Sequence, residues 1–212
     1  MRSLALACLL FVFVRPLLAG DEAVDSKVLA TGALHEAGSI STADRVRIVG
    51  PLKEALNHAS SHEERVLLRA ALIHLQDQDT ISHVLCGFSS SHTATERGAM
   101  AEVFRLAKAP ATIPLLVDYI YLDDRDEHIL RDAIGVGRKD YIAAHLVADL
   151  LANCPEFKAS TRASAREVKG LTSREIRERI RAWWPENRSY FERKDYKSVE
   201  PLETEMPRGV VR

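Results

Sequence analysis

His58 and His62 stand four residues apart and are followed by Glu63 and Glu64. On one continuous helix, imidazoles at that spacing share a face and can chelate zinc. Ser60-Ser61 reads as a helix boundary instead, with Ser61 capping onto Glu64, so the two imidazoles fall on separate elements. The His-Glu-x-x-His pattern of metalloproteases is absent, and two surface histidines are the expectation. His83, Cys86 and His92 form a second set, the raw material of a cysteine nucleophile. Cys86, however, lies in the apolar run Val84-Leu85-Cys86-Gly87-Phe88 and reads as a buried small hydrophobe.

Other polar sets have plainer readings. Asp123-Asp124-Arg125-Asp126-Glu127 lacks the Gly turn and distant Glu of a calcium loop, and reads as the acidic start of a helix. Gly135-Val136-Gly137 is a fragment of a dinucleotide fingerprint with no strand before it, so it reads as a turn. There is no Gly-x-Ser-x-Gly elbow. No catalytic residue, metal ligand or cofactor is assigned from these sets. One charged set stands apart: Arg174, Arg177 and Arg181 share a face of the last helix, away from Ile176, Ile180 and Trp184. They are either a solvated face or an anion-recognising stripe for a phosphate, a sulfated glycan or an acidic partner. These three are the candidate partner-binding residues.

The elements that position these residues are all helical. Val46, Val49, Leu52 and Leu56 recur at spacings of three and four from Asp44, with Ser41 or Thr42 as the cap and a kink or break expected at Gly50-Pro51. A second stripe is Leu68, Ala71, Leu72 and Leu75, and a third is Ile81, Val84, Leu85 and Phe88. Met100, Val103, Phe104 and Ala107 follow, then Ile113, Leu116, Val117 and Ile120. Asp126 to Ile134 and Lys139 to Leu151 continue the pattern. The last helix starts at Thr172-Ser173 and is expected to stop at Pro185. No stretch alternates with a period of two, so the fold class is all-α.

The 212 residues carry 29 Lys+Arg and 30 Asp+Glu, a balance that argues against a protein built to neutralise nucleic-acid phosphates. Residues 1–20, MRSLALACLLFVFVRPLLAG, have the layout of a secretory signal peptide: Arg2, an apolar run, and a small-residue exit at Ala19-Gly20. The run is too short to span a bilayer, so a secreted or periplasmic chain is expected, not membrane-embedded. Without that segment the charge is −3, divided between residues 21–160 at −7 and residues 161–212 at +4. Two cysteines then remain, Cys86 and Cys154, which make no disulfide framework.

The helices also repeat. Ala70-Ala71-Leu72-Ile73-His74-Leu75 aligns with Ala101-Glu102-Val103-Phe104-Arg105-Leu106, and Thr80-Ile81-Ser82-His83-Val84-Leu85 with Thr112-Ile113-Pro114-Leu115-Leu116-Val117. A period of about 30 residues made of two helices is the mark of a stacked array. The opening Pro110-Ala111-Thr112-Ile113-Pro114-Leu115-Leu116 resembles the second helix of HEAT repeats, and the short period resembles the HEAT-like repeats associated with phycobilisome lyases. Leu171-Thr172 followed by Trp183-Trp184-Pro185-Glu186-Asn187-Arg188 is similar to the tail of exported bacterial HEAT-repeat proteins. Where many of those carry a further Trp, this chain has Ile180.

The resemblance implies a short α-solenoid of stacked antiparallel helix pairs over residues 44–191, closed by a C-terminal capping helix. Residues 21–43 are a lead-in and 192–212 a loosely ordered tail. It further implies a non-enzymatic scaffold that binds a protein partner. The alternative is a small lyase, hydrolase or ligand-binding protein using a His/Cys site on the helical array.

Overall fold

Helix-forming composition and regular three- and four-residue apolar spacing produce a chain of helices joined by short turns. In the computed structural model, residues 25–35, 40–90, 94–121 and 139–203 are described. Among them stand α1 (Ser26–His35), α2 (Thr42–His58), α3 (His62–His74), α4 (Gln78–Ser90), α5 (Ala94–Ala107), α6 (Ile113–Tyr121), α7 (Lys139–Asn153), α8 (Ala159–Val168) and α9 (Ser173–Glu192). Single 3₁₀ turns at Pro110–Thr112 and Tyr196–Ser198 complete the set, and the described residues contain no strand. No helix among them is long and apolar enough to cross a membrane.

The chain divides into two compact units, residues 1–82 and 83–212, with the division inside α4. In the first unit, α1 and α2 both pack on α3 and on each other. Leu29, Ala30 and Ala33 of α1, Ile48 and Leu52 of α2, and Leu68, Ala71, Leu72 and Leu75 form its core. The expected lead-in therefore contributes a helix to that core. Helix α3 is buried on two faces, since Val66, Ala70 and Ile73 are buried besides the core stripe.

In the second unit α7 is the central element. Ala143, Ala144, Leu146, Val147, Ala148, Leu150, Leu151 and Ala152 are all buried, and α5, α6, α8 and α9 each pack on this helix. A helix apolar over most of its circumference must be enclosed on those faces. Phe88 of α4 sits edge-on to Phe104 at 6.4 Å and to Tyr119 at 5.6 Å, and the Tyr119 hydroxyl donates to the Leu85 carbonyl at 3.2 Å.

Helix ends follow the expected capping chemistry. Ser41 caps α2, and Ser61 caps α3 by accepting from the Glu64 N–H at 3.0 Å. Thr172 and Glu175 form a reciprocal capping box on α9. Three C-termini close with a left-handed residue that is not glycine, the one after α5 being Lys108 at φ 46°. After α3, Gln76 has φ 60°, with Asp77 N–H bonding Leu72 O at 3.0 Å and Gln76 N–H bonding Ile73 O at 2.9 Å. After α9, Lys194 has φ 56°, with the equivalent bonds to Tyr190 and Phe191. The closures after α3 and α9 are Schellman closures.

Several details differ from the sequence reading. Helix α2 runs unbroken through Pro51, and α9 runs through Pro185 to Glu192. Val46 is 72% exposed, because Ile48, Leu52 and Ala55 set the inward face of α2 and residue 46 lies about 200° from Ile48. Cys86 is exposed, not buried, for the same reason: Ile81, Val84 and Phe88 define the inward stripe of α4, and Cys86 lies across the helix from Val84. Residues 193–203, expected as loose tail, are docked, with Val199 and Leu202 buried.

Candidate functional site

His58 ends α2 and His62 begins α3, so the expected boundary separates them, and both are exposed. Glu64 is engaged elsewhere: its carboxylate accepts from the Ser26 hydroxyl at 3.0 Å and from the Ser60 N–H at 3.3 Å. His83 and Cys86 lie exposed on α4. His92, the 123–127 acidic run and the 135–137 turn lie outside the described residues. Among the described residues, no three His, Cys, Asp or Glu side chains gather as metal ligands.

The arginine set of α9 does not form an exposed stripe. Arg174 is exposed, but Arg177 is 5% exposed, with its Nε 3.3 Å from the Glu178 carboxylate. Arg181 points its Nε and Nη2 onto the Ile120 carbonyl at 2.9 and 2.7 Å, at the C-terminal end of α6. That end carries orphan carbonyls and a partial negative charge, which a guanidinium satisfies. The Tyr121 hydroxyl returns the bond, donating to the Arg181 carbonyl at 2.6 Å. This is the carbonyl that Pro185, lacking an N–H, leaves open four residues on, and it explains why α9 tolerates the proline.

Tyr121→Phe is expected to cost about 0.5–1.5 kcal/mol, and to cost less in a Pro185→Ala background, where residue 185 regains an N–H for Arg181. A double-mutant cycle by urea unfolding reads this coupling. Equal costs in both backgrounds would refute it.

One polar cluster among the described residues was not singled out by the sequence. On α7, His145 and Asp149 stand at i and i+4. The His145 Nε2 lies 2.7 Å from the Ser173 hydroxyl at the start of α9. The Asp149 carboxylate binds Arg105 of α5 at 3.0 Å through one oxygen and Lys169 through the other. Burial acts to raise the Asp149 pKa, but the bonds from Lys169 and Arg105 outweigh it and hold the carboxyl below its ordinary value. Burial lowers the His145 pKa, with Asp149 opposing and Arg105 and Lys169 assisting, which favours the neutral imidazole.

A neutral imidazole on a serine hydroxyl is the geometry of a base and its nucleophile. Asp149, though, is committed to two cations. No hydrogen bond from it completes a relay to His145 among the described contacts.

Three helices thus meet over one ion cluster, and its titration has a sign. The folded pKa of His145 lies below 6.5, so the unfolded chain binds more protons just under that value. Stability is complete above pH 6.5 and falls as pH descends toward the folded pKa. His145→Gln, which retains a hydrogen-bond acceptor, is expected to flatten this slope in denaturation midpoints taken across weakly acidic pH. An unchanged slope would remove His145 as its source.

At the far end of α9, both tryptophans of the chain are buried in an aromatic cluster. Phe191 lies 5.3 Å from Trp184, 6.0 Å from Trp183, 6.0 Å from Phe157 and 5.8 Å from Tyr196. Residues 196–203 lie across α8 and α9 as a strap. Trp183 Nε1 donates to Glu200 O at 2.8 Å, Glu200 N–H donates to Asn187 Oδ1 at 2.7 Å, and Leu202 N–H donates to Ser164 Oγ at 3.0 Å. The Thr161 hydroxyl donates to Val199 O at 2.7 Å. Between α9 and this strap lies a cavity of about 400 Å³.

No protein-family profile, curated protein or solved structure matches the chain. The site therefore has to be read from its own geometry. The strap and cavity carried no apolar period that could have announced them. Their sequence signal was only the Thr161, Ser164, Ala165, Val168 spacing of α8, a helical face built half from hydroxyls.

Proposed function

We propose that the protein is an exported, non-enzymatic scaffold, a HEAT-like α-solenoid that binds a protein partner through one exposed layer of helices. The observation that carries this reading is the placement of α7. It packs on two helices that precede it in the chain, α5 and α6, and on two that follow, α8 and α9. An interior helix in a stack of pairs needs neighbours from both sides, because no pair buries its apolar surfaces alone. The two buried faces of α3 agree with the same architecture. The signal-like residues 1–20 support export, and the Trp183-Trp184 pair with its strap supports a closing cap.

The test is capture of a partner from the extracellular or envelope fraction with the chain from residue 21 onward. Reconstitution from purified components should follow. A complex of fixed stoichiometry that forms without consuming a substrate is expected. A second reading, a small hydrolase, is favoured by the Ser173–His145 contact. Turnover of activated esters that disappears in Ser173→Ala, with no stoichiometric partner, would replace the scaffold by that enzyme.

A further inference from the structure

Arg179, Trp183 and Asn187 recur every four residues along α9, with Ala182 and Glu186 beside them, so all five share one face. That face and Glu200, Pro201 and Glu203 of the strap enclose the cavity of about 400 Å³. This falls within the size range of small-molecule sites.

The wall holds a buried cation. Arg179 is only 5% exposed, yet among the described residues its one hydrogen bond is from Nη1 to the Glu203 carbonyl. Its Nε is buried without a hydrogen-bond partner, and among the described residues the guanidinium forms no ion pair. Arginine is almost never this buried unless paired, since an uncompensated buried charge is strongly unfavourable. The missing counter-charge points to an anionic group.

The surroundings exclude a plain anion. Glu186 and Glu203 are exposed at the same cavity and form no ion pair, while Glu200 pairs outward with Lys158 at 3.0 Å. A phosphate or sulfate seated on Arg179 would meet this acidic rim at close range. A ligand bearing both signs would not: its carboxylate meets the guanidinium, and its ammonium meets the rim. Trp183 and Pro201 supply apolar wall between the two ends.

We propose that this cavity binds a small zwitterion, a free amino acid or a short peptide, with its carboxylate on Arg179 and its ammonium group facing Glu186 and Glu203. The proposal is independent of the scaffold reading, and neither stands or falls with the other.

The experiment uses the full chain, with tryptophan fluorescence and thermal shift as readouts, because Trp183 lines the cavity. The probes are L-alanine, glycylglycine, propionate, ethylamine and inorganic phosphate. Saturable binding of L-alanine or glycylglycine is expected, with propionate and ethylamine each about tenfold or more weaker and phosphate without effect. The stronger of the two zwitterions identifies the source as free amino acid or peptide.

Arg179→Gln should abolish the response, and Glu186→Gln, on the exposed rim, should weaken zwitterion binding while leaving propionate bound as well as before or better, since one repelling charge is gone. Should Arg179→Gln fail to fold, Glu186→Gln and the probe series on the natural chain decide the matter. The proposal is overturned by no saturable response up to about 10 mM, where a Kd of 1 mM would be evident. Equal binding of phosphate, or zwitterion binding unaffected by Glu186→Gln, overturns it as well.

Discussion

Phe191→Ala is expected to destabilise the second unit by about 3–5 kcal/mol, the range for removing a fully enclosed aromatic ring. Phe191 is 5% exposed and is the one ring that touches all the others: Trp183, Trp184, Phe157 and Tyr196. Edge-on and tilted pairs of this kind contribute beyond their buried area, so truncation loses several aromatic contacts and leaves a void. The lining is unable to collapse into that void easily, because Trp183 is fixed at both ends. Its ring donates to Glu200 O, and its backbone carbonyl accepts from Asn187 Nδ2 at 3.0 Å. Urea unfolding followed by tryptophan fluorescence reports on this site directly, since the only two tryptophans are in it. A loss under about 1 kcal/mol would mean that the cluster is not the closing core of the unit.

The aromatic closure and the apolar stripes differ in how visible they were. Leu68, Ala71, Leu72 and Leu75, or Ile113, Leu116, Val117 and Ile120, are buried as their spacing requires, because periodic apolar residues on a helix have one way to leave water. The caps at Ser61 and Thr172 were equally legible, being local chemistry. Helix α8 was not. Its inward face is Thr161, Ser164, Ala165 and Val168, and the two hydroxyls bond to strap residues 38 positions away. A periodicity of apolar residues is blind to a face whose polar groups find partners so far along the chain. The same non-local logic hid the survival of α9 past Pro185, which depends on Tyr121 some 60 residues earlier.

The basic surplus of residues 161–212 takes on a different meaning for the same reason. Arg181 caps the C-terminal end of α6, and Arg166 Nη2 reaches Ala152 O at the end of α7 at 3.3 Å. In the first unit Arg65 Nη1 reaches Ala59 O, just past the end of α2, at 3.1 Å. A guanidinium at a helix C-terminus satisfies an orphan carbonyl and meets the negative end of the macrodipole together. The sequence spaces Arg174, Arg177 and Arg181 three and four residues apart on α9, but the surface stripe this suggested is largely internal. Of the three arginines marked as a partner-binding set, Arg174 is exposed, Arg181 is partly buried on the Ile120 carbonyl and Arg177 is buried.

Asn187→Leu is expected to release the strap without unfolding the helices beneath it. Asn187 is 1% exposed, and its amide works in both directions: Nδ2 donates to Trp183 O, and Oδ1 accepts from the Glu200 N–H. Leucine fills a similar volume but leaves the Glu200 N–H without its acceptor, a loss of about 1–3 kcal/mol for a buried donor. Because the strap opens locally, that loss appears as a rise in its open population of about ten- to hundredfold. Lys194 lies just before the strap and Lys197 within it, both with exposed side chains, so trypsin cleavage there measures the opening. Cleavage at those two sites should accelerate by the same factor, while Arg188→Gln, exposed at the neighbouring position, leaves it unchanged. Acceleration at Arg166 and Lys169 as well would signal global unfolding in place of strap release. An unchanged rate would show that the Glu200 N–H contact with Asn187 does not hold the strap, and its docking would then rest on buried Val199 and Leu202 and the remaining hydrogen bonds.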